Sequence, residues 1–369
     1  YLLDFLRYDT EDCDAYRRVN SLFARTLASL MKPDDVVWVP DYHRIPLAAE
    51  LRSAGIDNPI GFFLHVPFPA IEALRAAPGY EYLLRSLFAY DVLGFHTERD
   101  LRAFKTCLEE PIVDAKIVSD NTIELAGGTL VADVFPIGVD VAEIHALSAE
   151  ANTTKPVRKM VKCLDGRDLI IGVDRLDYSK GLHQRFLSYE RLLEKYPNTQ
   201  NNVTLMQIAP PTRVGVRAYD EIRWELEQDS GRINGRFASS DWVPIRYLNK
   251  GISRKPLMGF FRNAAVGLVT PVRDGMNLVA KEYVVAQDPD DPGMLVLSSL
   301  AGAACELTDA VIVNPYDRDS VADGIAAAIT MSLEERRERH AAMMEILRKN
   351  DITAWRTRFV DALLSRQAA

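Results

Sequence analysis

The second half of the chain alternates short apolar segments with helical patterns, and this alternation constrains the fold more than any other feature. Five apolar segments begin at residues 169, 203, 266, 294 and 310, and stretches with helical periodicity separate them. Strands that alternate with helices pair in parallel and are covered by helices on both faces. The sequence therefore predicts an α/β fold built on a parallel sheet.

The first half repeats this alternation less regularly. Helical periodicity covers residues 11–31, 45–54 and 81–89, and apolar strands are predicted at 36–39, 60–66 and 91–97. Two short strands are predicted around the Gly127–Gly128 turn. The polar stretch 148–159 is predicted to be a linker. We therefore expect two Rossmann-like domains whose parallel sheets face each other across a cleft.

Length and composition exclude several classes of protein. A chain of 369 residues with 48% hydrophobic residues can fill the cores of two domains. A net charge of −8 argues against a general nucleic-acid binder, and no apolar run approaches the length of a membrane span. Four cysteines without CxxC spacing are typical of the reducing cytoplasm. The sequence thus predicts a cytoplasmic protein without nucleic-acid or membrane partners, and it leaves a homo-oligomer open.

The segment 269–283 carries one candidate site. An apolar strand leads into a turn with Asp274 and Gly275, and a helix is predicted to begin near Asn277. A helix N-terminus presents free N–H groups and a partial positive charge, which suit an anion or sugar hydroxyls. Glycine lets a ligand approach the backbone, and Glu282 lies about one turn into the helix. The alternative interpretation is an ordinary capped helix.

The segment 172–182 carries a second candidate site, between a strand and a predicted helix. Arg175 and Lys180 lie in its short loop, and two fixed cations would stabilise the charge that builds on a departing diphosphate. A solvated polar loop is the alternative. Asp174 and Asp177 have the spacing of a metal-binding carboxylate pair, but alternate residues near a strand end point to opposite sides. We therefore predict no metal site. Both segments follow C-terminal ends of strands, where open α/β sheets bind ligands.

Nine segments, in one order along nearly the whole chain, make a resemblance to a known family specific. They are IGFFLHVPFP, DVLGFHTERD, FPIGVD, GVDRLDYSKGL, QIAPPTR, GRINGRF, VTPVRDGMNLVAKEY, LSSLAGAACEL and VNPYDRD. The chain resembles the trehalose-6-phosphate synthase family, retaining glycosyltransferases that join UDP-glucose to glucose 6-phosphate. The resemblance implies the two-domain GT-B architecture and metal-independent transfer without a cofactor, because UDP-glucose is a co-substrate.

The resemblance also implies the domain organisation. Residues 1–145 would form the acceptor-side domain and 146–348 the nucleotide-sugar domain, and 349–369 would form a terminal helix that packs back toward the first domain. Because the chain begins at Tyr1, the family pattern places the first strand and the glycine-rich loop of the N-terminal domain upstream of this sequence.

The resemblance assigns UDP-glucose to the second half of the chain. Arg175 and Lys180 would bind the diphosphate, Asp274 would bind the glucose hydroxyls, and Glu282 would accept hydrogen bonds from the ribose. Ile252 aligns with a position near the nucleotide. The implied donor-binding set is Arg175, Lys180, Ile252, Asp274, Gly275, Met276, Asn277, Leu278, Val279, Ala280, Lys281 and Glu282.

The resemblance places the acceptor, glucose 6-phosphate, mainly on the first half. Asp41, with Tyr42 beside it, would bind the sugar hydroxyls, and Arg213 would hold the phosphate, because a guanidinium binds phosphate with two hydrogen bonds. His65 would lie against the donor sugar. The implied catalytic set is His65, Arg175, Lys180 and Asp274.

Two residues depart from the family pattern next to Asp41. Relatives usually have histidine where Pro40 stands and leucine where Arg44 stands. Proline removes a side-chain donor and a backbone N–H at the edge of the acceptor pocket. A sister enzyme with another phosphorylated acceptor, glycerol 3-phosphate or a cyclitol phosphate, therefore stays open. A non-catalytic regulatory subunit also stays open, whereas an NAD-dependent enzyme fails because no GxGxxG follows a strand.

Overall fold

In a computed structural model, residues 9–126, 128–212 and 216–366 are described, and the chain divides into two compact units. The first unit combines the chain up to Ile137 with the segment from Thr353 onward, and the second unit is Gly138–Ile352. The expected boundaries, 145/146 and 348/349, lie several residues from these. Residues 138–145 belong with the second unit because the helix they begin packs against helices of that unit.

The first unit contains one six-stranded sheet in the order β1-β2-β3-β6-β5-β4. Its strands are β1 (Val37–Pro40), β2 (Ile60–Phe63), β3 (Val92–Phe95), β4 (Ala115–Ile117), β5 (Thr122–Leu125) and β6 (Gly128–Val134). Its helices are α1 (Thr10–Ala28), α2 (Leu47–Ser53), α3 (Ile71–Arg75), α4 (Tyr80–Leu87) and α5 (Glu98–Thr106). Strands β1, β2, β3 and β6 are parallel, and β4 and β5 add an antiparallel edge.

The second unit contains an all-parallel sheet in the order β12-β11-β10-β7-β8-β9. Its strands are β7 (Asp168–Val173), β8 (Val203–Ile208), β9 (Ile245–Leu248), β10 (Val266–Val269), β11 (Met294–Ser298) and β12 (Val311–Val313). Its helices are α6 (Val141–Ala151), α7 (Lys155–Leu164), α8 (Leu182–Lys195), α9 (Arg217–Phe237), α10 (Arg254–Arg262), α11 (Leu278–Ala286), α12 (Arg318–Thr330) and α13 (Leu333–Lys349). The strand order reverses between β7 and β10, and ligands of such sheets bind at that reversal, beyond the carboxyl ends of the strands.

The observed secondary structure differs from the prediction in three places. The polar stretch 148–159 is not a linker, because α6 and α7 occupy almost all of it and bury Val157. The two strands predicted around the Gly127–Gly128 turn are present as the antiparallel pair β5 and β6, and β4 adds a third strand before them; Gly127 itself lies outside the described residues. Strand β9 was missed because it is an edge strand with only one fully buried position, Ile245.

The C-terminal helix, α14 (Ile352–Leu364), packs on the sheet of the first unit. Its Phe359 is fully buried and stacks on Trp38 at 4.5 Å between ring centroids. Glycines at two strand positions let this ring approach the backbone, because a Cβ at Gly61 or Gly94 would lie within about 3 Å of it. The last helix of the chain therefore completes the core of the first unit.

Across the three described ranges, no helix is both long and apolar enough to span a bilayer.

Candidate functional site

The loop after β7 carries the two predicted cations and is built by a short turn of helix. Asp177 accepts hydrogen bonds from the backbone and the hydroxyl of Ser179, at 2.9 and 2.8 Å, and so starts a single 3₁₀ turn that contains Lys180. Gly181 then takes a left-handed conformation, with φ of 63°, and leads directly into α8. Glycine tolerates that conformation without steric cost, which fixes where the loop ends and the helix begins.

The loop after β10 is joined to this loop by backbone hydrogen bonds. The N–H groups of Val272 and Arg273 donate to the carbonyl of Ser179, at 3.0 and 3.3 Å. A Cβ at Gly181 would lie 2.9 Å from Val272, so glycine is needed for space as well as for conformation. The two candidate sites predicted from separate segments therefore form one site, at the point where the strand order reverses.

Asp274 is the hydrogen-bonding centre of this site. Its carboxylate accepts from the amine of Lys180 at 2.6 Å, from the side-chain amide of Asn277 at 2.8 Å and from the backbone of Gly275 at 3.0 Å. Asn277 has φ of 66° and caps α11 by accepting from the N–H of Ala280. The carboxylate thus holds both the turn and the start of the helix whose N-terminus was predicted to bind the donor.

Arg175 and Lys180 differ in their surroundings. The side chain of Lys180 is 14% exposed and is ion-paired with Asp274, which is 17% exposed. Arg175 is exposed and makes no hydrogen bond or ion pair with the part of the chain that the structure describes. One cation is therefore held in place by a carboxylate of the same site, and the other is presented to solvent.

The segment from Gly275 to Glu282 is more buried than the sequence indicated. Gly275, Met276 and Asn277 are buried, Leu278 is 36% exposed, and Val279 is intermediate. Ala280 and Lys281 are fully buried, and the Lys281 amine is ion-paired with Glu306 at 2.5 Å. Because the whole residue has no solvent exposure, the Lys281 amine is not presented to a donor in the free protein.

Glu282 is half-buried, and this changes its ionisation. Burial raises the pKa of the Glu282 carboxyl above its ordinary value, and the nearby Arg254 opposes the shift. Ile252, the weakest of the donor assignments, is half-buried in the loop that leads to Arg254 and α10. The start of α10 and Glu282 therefore lie near each other in the second unit.

The substitution Glu282→Gln tests the cost of this burial. A raised folded pKa favours the protonated carboxyl, so its contribution to stability is present below the unfolded pKa and is lost as the pH rises through the folded pKa. We expect Glu282→Gln to raise the Tm at about pH 8 and to leave it unchanged near about pH 4. If the carboxylate also accepts from the ribose, the KM for UDP-glucose should rise about tenfold.

The matched control is Glu345→Gln, because Glu345 is an exposed glutamate on α13. Calorimetry at both pH values and initial-rate kinetics would measure the two effects separately. A Glu282→Gln protein that is less stable at alkaline pH would contradict the interpretation of the burial.

The two carboxylates considered as a metal-binding pair have separate protein partners. Asp174 is buried and hydrogen-bonds to Arg185, whereas Asp177 bonds to Ser179. Within the described ranges, no group of three histidine, cysteine, aspartate or glutamate side chains could hold a metal ion.

The first unit brings Asp41 and His65 together at the carboxyl ends of β1 and β2. The Asp41 carboxylate accepts from the backbone of Tyr42 at 3.0 Å and from that of His65 at 3.4 Å. Asp41 has φ of 65° and ψ of 165°, a conformation that costs an aspartate about 1–3 kcal/mol. Such strain clusters at functional sites, and here it coincides with the residue predicted to bind the acceptor.

His65 lies among aromatic rings at the same strand ends. Its ring is 5.7 Å from that of His96, and burial lowers its pKa below the ordinary value, although Asp41 opposes the shift. The imidazole is therefore neutral at neutral pH and can donate or accept a hydrogen bond. His96 directly follows the neighbouring strand β3, and that position was the available signal that it would lie beside His65.

The residues that depart from the family pattern adopt ordinary structural roles. Pro40 ends β1 and is exposed, and the next N–H, that of Asp41, donates to Phe63 at 2.8 Å. The guanidinium of Arg44 lies 3.9 Å from the centre of the Phe23 ring on α1. Tyr42 is 38% exposed and stacks on His43.

Arg213, the predicted phosphate ligand, lies outside the described residues. The base of its loop is described: Pro210 follows β8 and accepts from the backbone of Leu176 at 3.0 Å. The loop that leads to Arg213 is thus tied to the loop that carries Arg175.

The segment LSSLAGAACEL begins at the end of β11 and was assigned no role in the predicted site, but the structure shows one. The backbone of Asp274 donates to Leu300, and Gly302 donates to the carbonyl of Gly275 at 2.7 Å. A Cβ at Gly302 would overlap that carbonyl. Small residues directly after a central strand were the available signal for this close packing.

Comparisons with known proteins agree with this arrangement. The model of glycosyltransferase family 20 matches residues 4–365. A trehalose-6-phosphate synthase of Escherichia coli is 49% identical over 98% of this chain and 76% of its own length. The one from Klebsiella pneumoniae is 48% identical over the same shares.

Solved structures extend the similarity to the fold. An α,α-trehalose-phosphate synthase (UDP-forming) of Burkholderia xenovorans, in complex with glucose-6-phosphate, has a TM-score of 0.95 and 51% identity, over 98% of this chain and 80% of its own. The Escherichia coli enzyme bound with UDP-2-fluoro glucose has the same TM-score, 49% identity and the same coverage. The chain therefore belongs to glycosyltransferase family 20.

Proposed function

We propose that this protein transfers glucose from UDP-glucose to glucose 6-phosphate with retention, giving α,α-trehalose 6-phosphate and UDP. The observation that carries the proposal is the joint placement of Arg175, Lys180 and Asp274 where the strand order reverses, on loops that are hydrogen-bonded to each other. Relatives at about half identity that are named for this reaction, with the acceptor or a donor analogue bound, support it.

The two cations would stabilise the leaving group. As the bond from the glucose C1 to the diphosphate oxygen breaks, negative charge grows on UDP, and Arg175 and Lys180 lie on the loop where they can offset such charge. The Lys180–Asp274 ion pair gives the free site no net charge at this point. A bound diphosphate would share Lys180, and this would release lone pairs of Asp274 to accept from the donor's hydroxyls.

The acceptor would react from the face that UDP leaves. The anomeric hydroxyl of glucose 6-phosphate forms the new C1–O bond, and its proton passes to the departing phosphate oxygen. No carboxylate needs to act as a nucleophile, unlike in a retaining glycosidase. Asp41 and neutral His65 would position the sugars, and Arg213 would hold the acceptor phosphate, so the protein supplies placement and charge.

The proposal extends to the cofactor requirement and to the location of the protein. Because Arg175 and Lys180 supply the positive charge at the diphosphate, we propose that the reaction needs no metal ion or other cofactor, and that activity withstands exhaustive EDTA treatment. All four cysteines are free thiols, which supports a cytoplasmic location.

Product analysis tests the function directly. The protein would be incubated with UDP-glucose and, separately, glucose 6-phosphate, glycerol 3-phosphate or a cyclitol phosphate, and each product would be identified by NMR. We expect a disaccharide phosphate with both anomeric centres α only from glucose 6-phosphate. Transfer to another acceptor instead would favour the sister enzyme, and a folded protein without transfer to any acceptor would favour a regulatory subunit.

A further inference from the structure

A buried arginine lies directly beneath the donor loops. The side chain of Arg185, in the first turn of α8, has no solvent exposure. Its Nε donates to the Thr270 hydroxyl at 3.0 Å, and its Nη1 donates to Asp174 at 2.5 Å and to the side-chain carbonyl of Gln207 at 2.9 Å. Its Nη2 is equally buried, and no described residue accepts a hydrogen bond from it. One guanidinium thus has three partners at the ends of three different strands.

Those partners mark the carboxyl ends of three neighbouring strands. Asp174 directly follows β7, Gln207 is the second-last residue of β8, and Thr270 directly follows β10. In the sheet β7 lies between β10 and β8, so Arg185 bridges the central strand and both of its neighbours. A side chain at this place fixes the relative positions of the three strand ends.

Each of these strands leads into a different part of the proposed site. The loop after β7 carries Arg175 and Lys180, and the loop after β10 carries Asp274. The segment after β8 leads to Arg213, which itself lies outside the described residues. The diphosphate cations, the donor-sugar carboxylate and the acceptor-phosphate arginine therefore begin from strand ends that share one hydrogen-bonding partner.

Stability alone does not account for such a group. A buried ion pair gains about as much from its Coulomb attraction as it loses in desolvation, and well-packed apolar residues often replace such pairs without loss. Here Nη2, for which no described residue is an acceptor, adds a further cost. What the apolar alternative would lack is direction, because a planar guanidinium bonds its acceptors in a fixed geometry.

The strand β7 is shaped to leave room for this group. Gly172 pairs in register with Gln207 on β8. A Cβ at Gly172 would lie 2.8 Å from Arg185 Nη1 and closer still to the side-chain oxygen of Gln207. Any larger residue at this position would therefore displace Arg185 or Gln207.

The Arg185 network also interacts electrostatically with the donor site. Burial raises the pKa of the Asp174 carboxyl, and Arg185 and Lys180 both oppose that shift through their charges, whereas Asp274 adds to it. The four side chains thus alternate in sign, from Arg185 through Asp174 and Lys180 to Asp274. A substitution of Arg185 would therefore change the electrostatic environment of Lys180 through Asp174.

We propose that Arg185 is a positioning residue that sets the donor and acceptor loops in mutual register through Thr270, Asp174 and Gln207. The inference rests on the proposed function, because it assigns the loop after β10 to UDP-glucose and the loop after β8 to glucose 6-phosphate. It assigns Arg185 no contact with either substrate.

Two conservative substitutions test separately the hydrogen bonds of Arg185 to Thr270 and to Gln207. Thr270→Val removes only the acceptor at the end of β10, and Gln207→Met removes only the acceptor on β8. We expect Thr270→Val to raise the KM for UDP-glucose about tenfold, the effect of about 1.4 kcal/mol, with less than about a twofold change for glucose 6-phosphate. Gln207→Met should instead raise the KM for glucose 6-phosphate about tenfold, with less than about a twofold change for UDP-glucose.

Arg185→Lys completes the set, because a lysine keeps the charge opposite Asp174 but loses the planar fork. We expect it to lower kcat at least about tenfold and to raise both KM values, while thermal unfolding stays cooperative. The control is Arg191→Gln on the same helix, where Arg191 forms a surface ion pair with Asp319. That control should leave all three constants unchanged.

Equal changes of both KM values in Thr270→Val and Gln207→Met, or none in folded proteins, would overturn the inference. Circular dichroism and Tm measurements would confirm that each variant is folded before its kinetics are compared. If the unaltered protein makes no disaccharide phosphate, the proposed function fails instead, and the two failures are therefore distinguishable.

Discussion

Replacing Arg175 with methionine is expected to lower kcat for glucosyl transfer by about two to three orders of magnitude, the typical effect of removing one donor that stabilises a developing anion. Arg175 is exposed and bonds to no other described residue, so its removal breaks no contact that the structure shows within the chain. We therefore expect no change in Tm beyond the scatter between preparations. Stopped assays of UDP release and thermal unfolding would measure both quantities.

The control for Arg175→Met is Arg217→Met, which removes another exposed arginine of the second unit, whose ion-pair partner among the described residues is Glu221 on the same helix. It should leave kcat unchanged. A kcat for Arg175→Met within about threefold of the parent value would contradict the assignment of Arg175 to the leaving diphosphate.

Replacing Lys180 with methionine is expected to lower kcat by a similar factor and, unlike the Arg175 change, to destabilise the protein. Lys180 and Asp274 are both largely buried, and the carboxylate keeps only its hydrogen bonds from Gly275 and Asn277 once the amine is gone. Losing a hydrogen bond between charged partners should cost about 2 kcal/mol of unfolding free energy. Urea titration and initial-rate kinetics would measure these changes.

A second substitution separates the two effects of Lys180. In the Lys180→Met background, Asp274→Asn removes the uncompensated charge, so part of the lost stability should return while activity stays low. Lys195→Met is the matched control, since Lys195 pairs with Asp319 and Asp323 on the surface. Recovery of activity in the double variant would contradict a direct role for Lys180 in binding the diphosphate.

In the candidate site, residue patterns predicted which side chains are functional but not how they pair. The loop residues Arg175, Lys180 and Asp274 could be identified because each follows an apolar strand and lies in a specific motif. Their pairing could not, because Lys180 and Asp274 are 94 residues apart and meet only through the order of β7 and β10 in the sheet. The burial of Lys281 was hidden for the same reason, since its partner Glu306 follows a different strand.

The fold likewise has elements that the sequence predicts and elements that it does not. Strong apolar runs such as those of β7, β8 and β11 can be predicted from the sequence alone, because every position of β8 and β11 and the four middle positions of β7 are buried. Weaker elements could not be predicted from the sequence alone. Strand β9 has one fully buried residue, and the polar stretch 148–159, predicted to be a linker, lies mostly within the helices α6 and α7. Their stability comes from neighbours that are distant in sequence.

By itself the sequence determined the α/β class, the family resemblance and the identity of the charged loop residues, because these depend on local periodicity and on motifs of a few residues. Only the tertiary structure decided that the loops share one site, that Lys180 is held by Asp274, and that Arg185 links three strand ends. The reason is physical: hydrogen bonds and ion pairs depend on distances of a few ångströms, and strand order sets those distances where sequence separation does not.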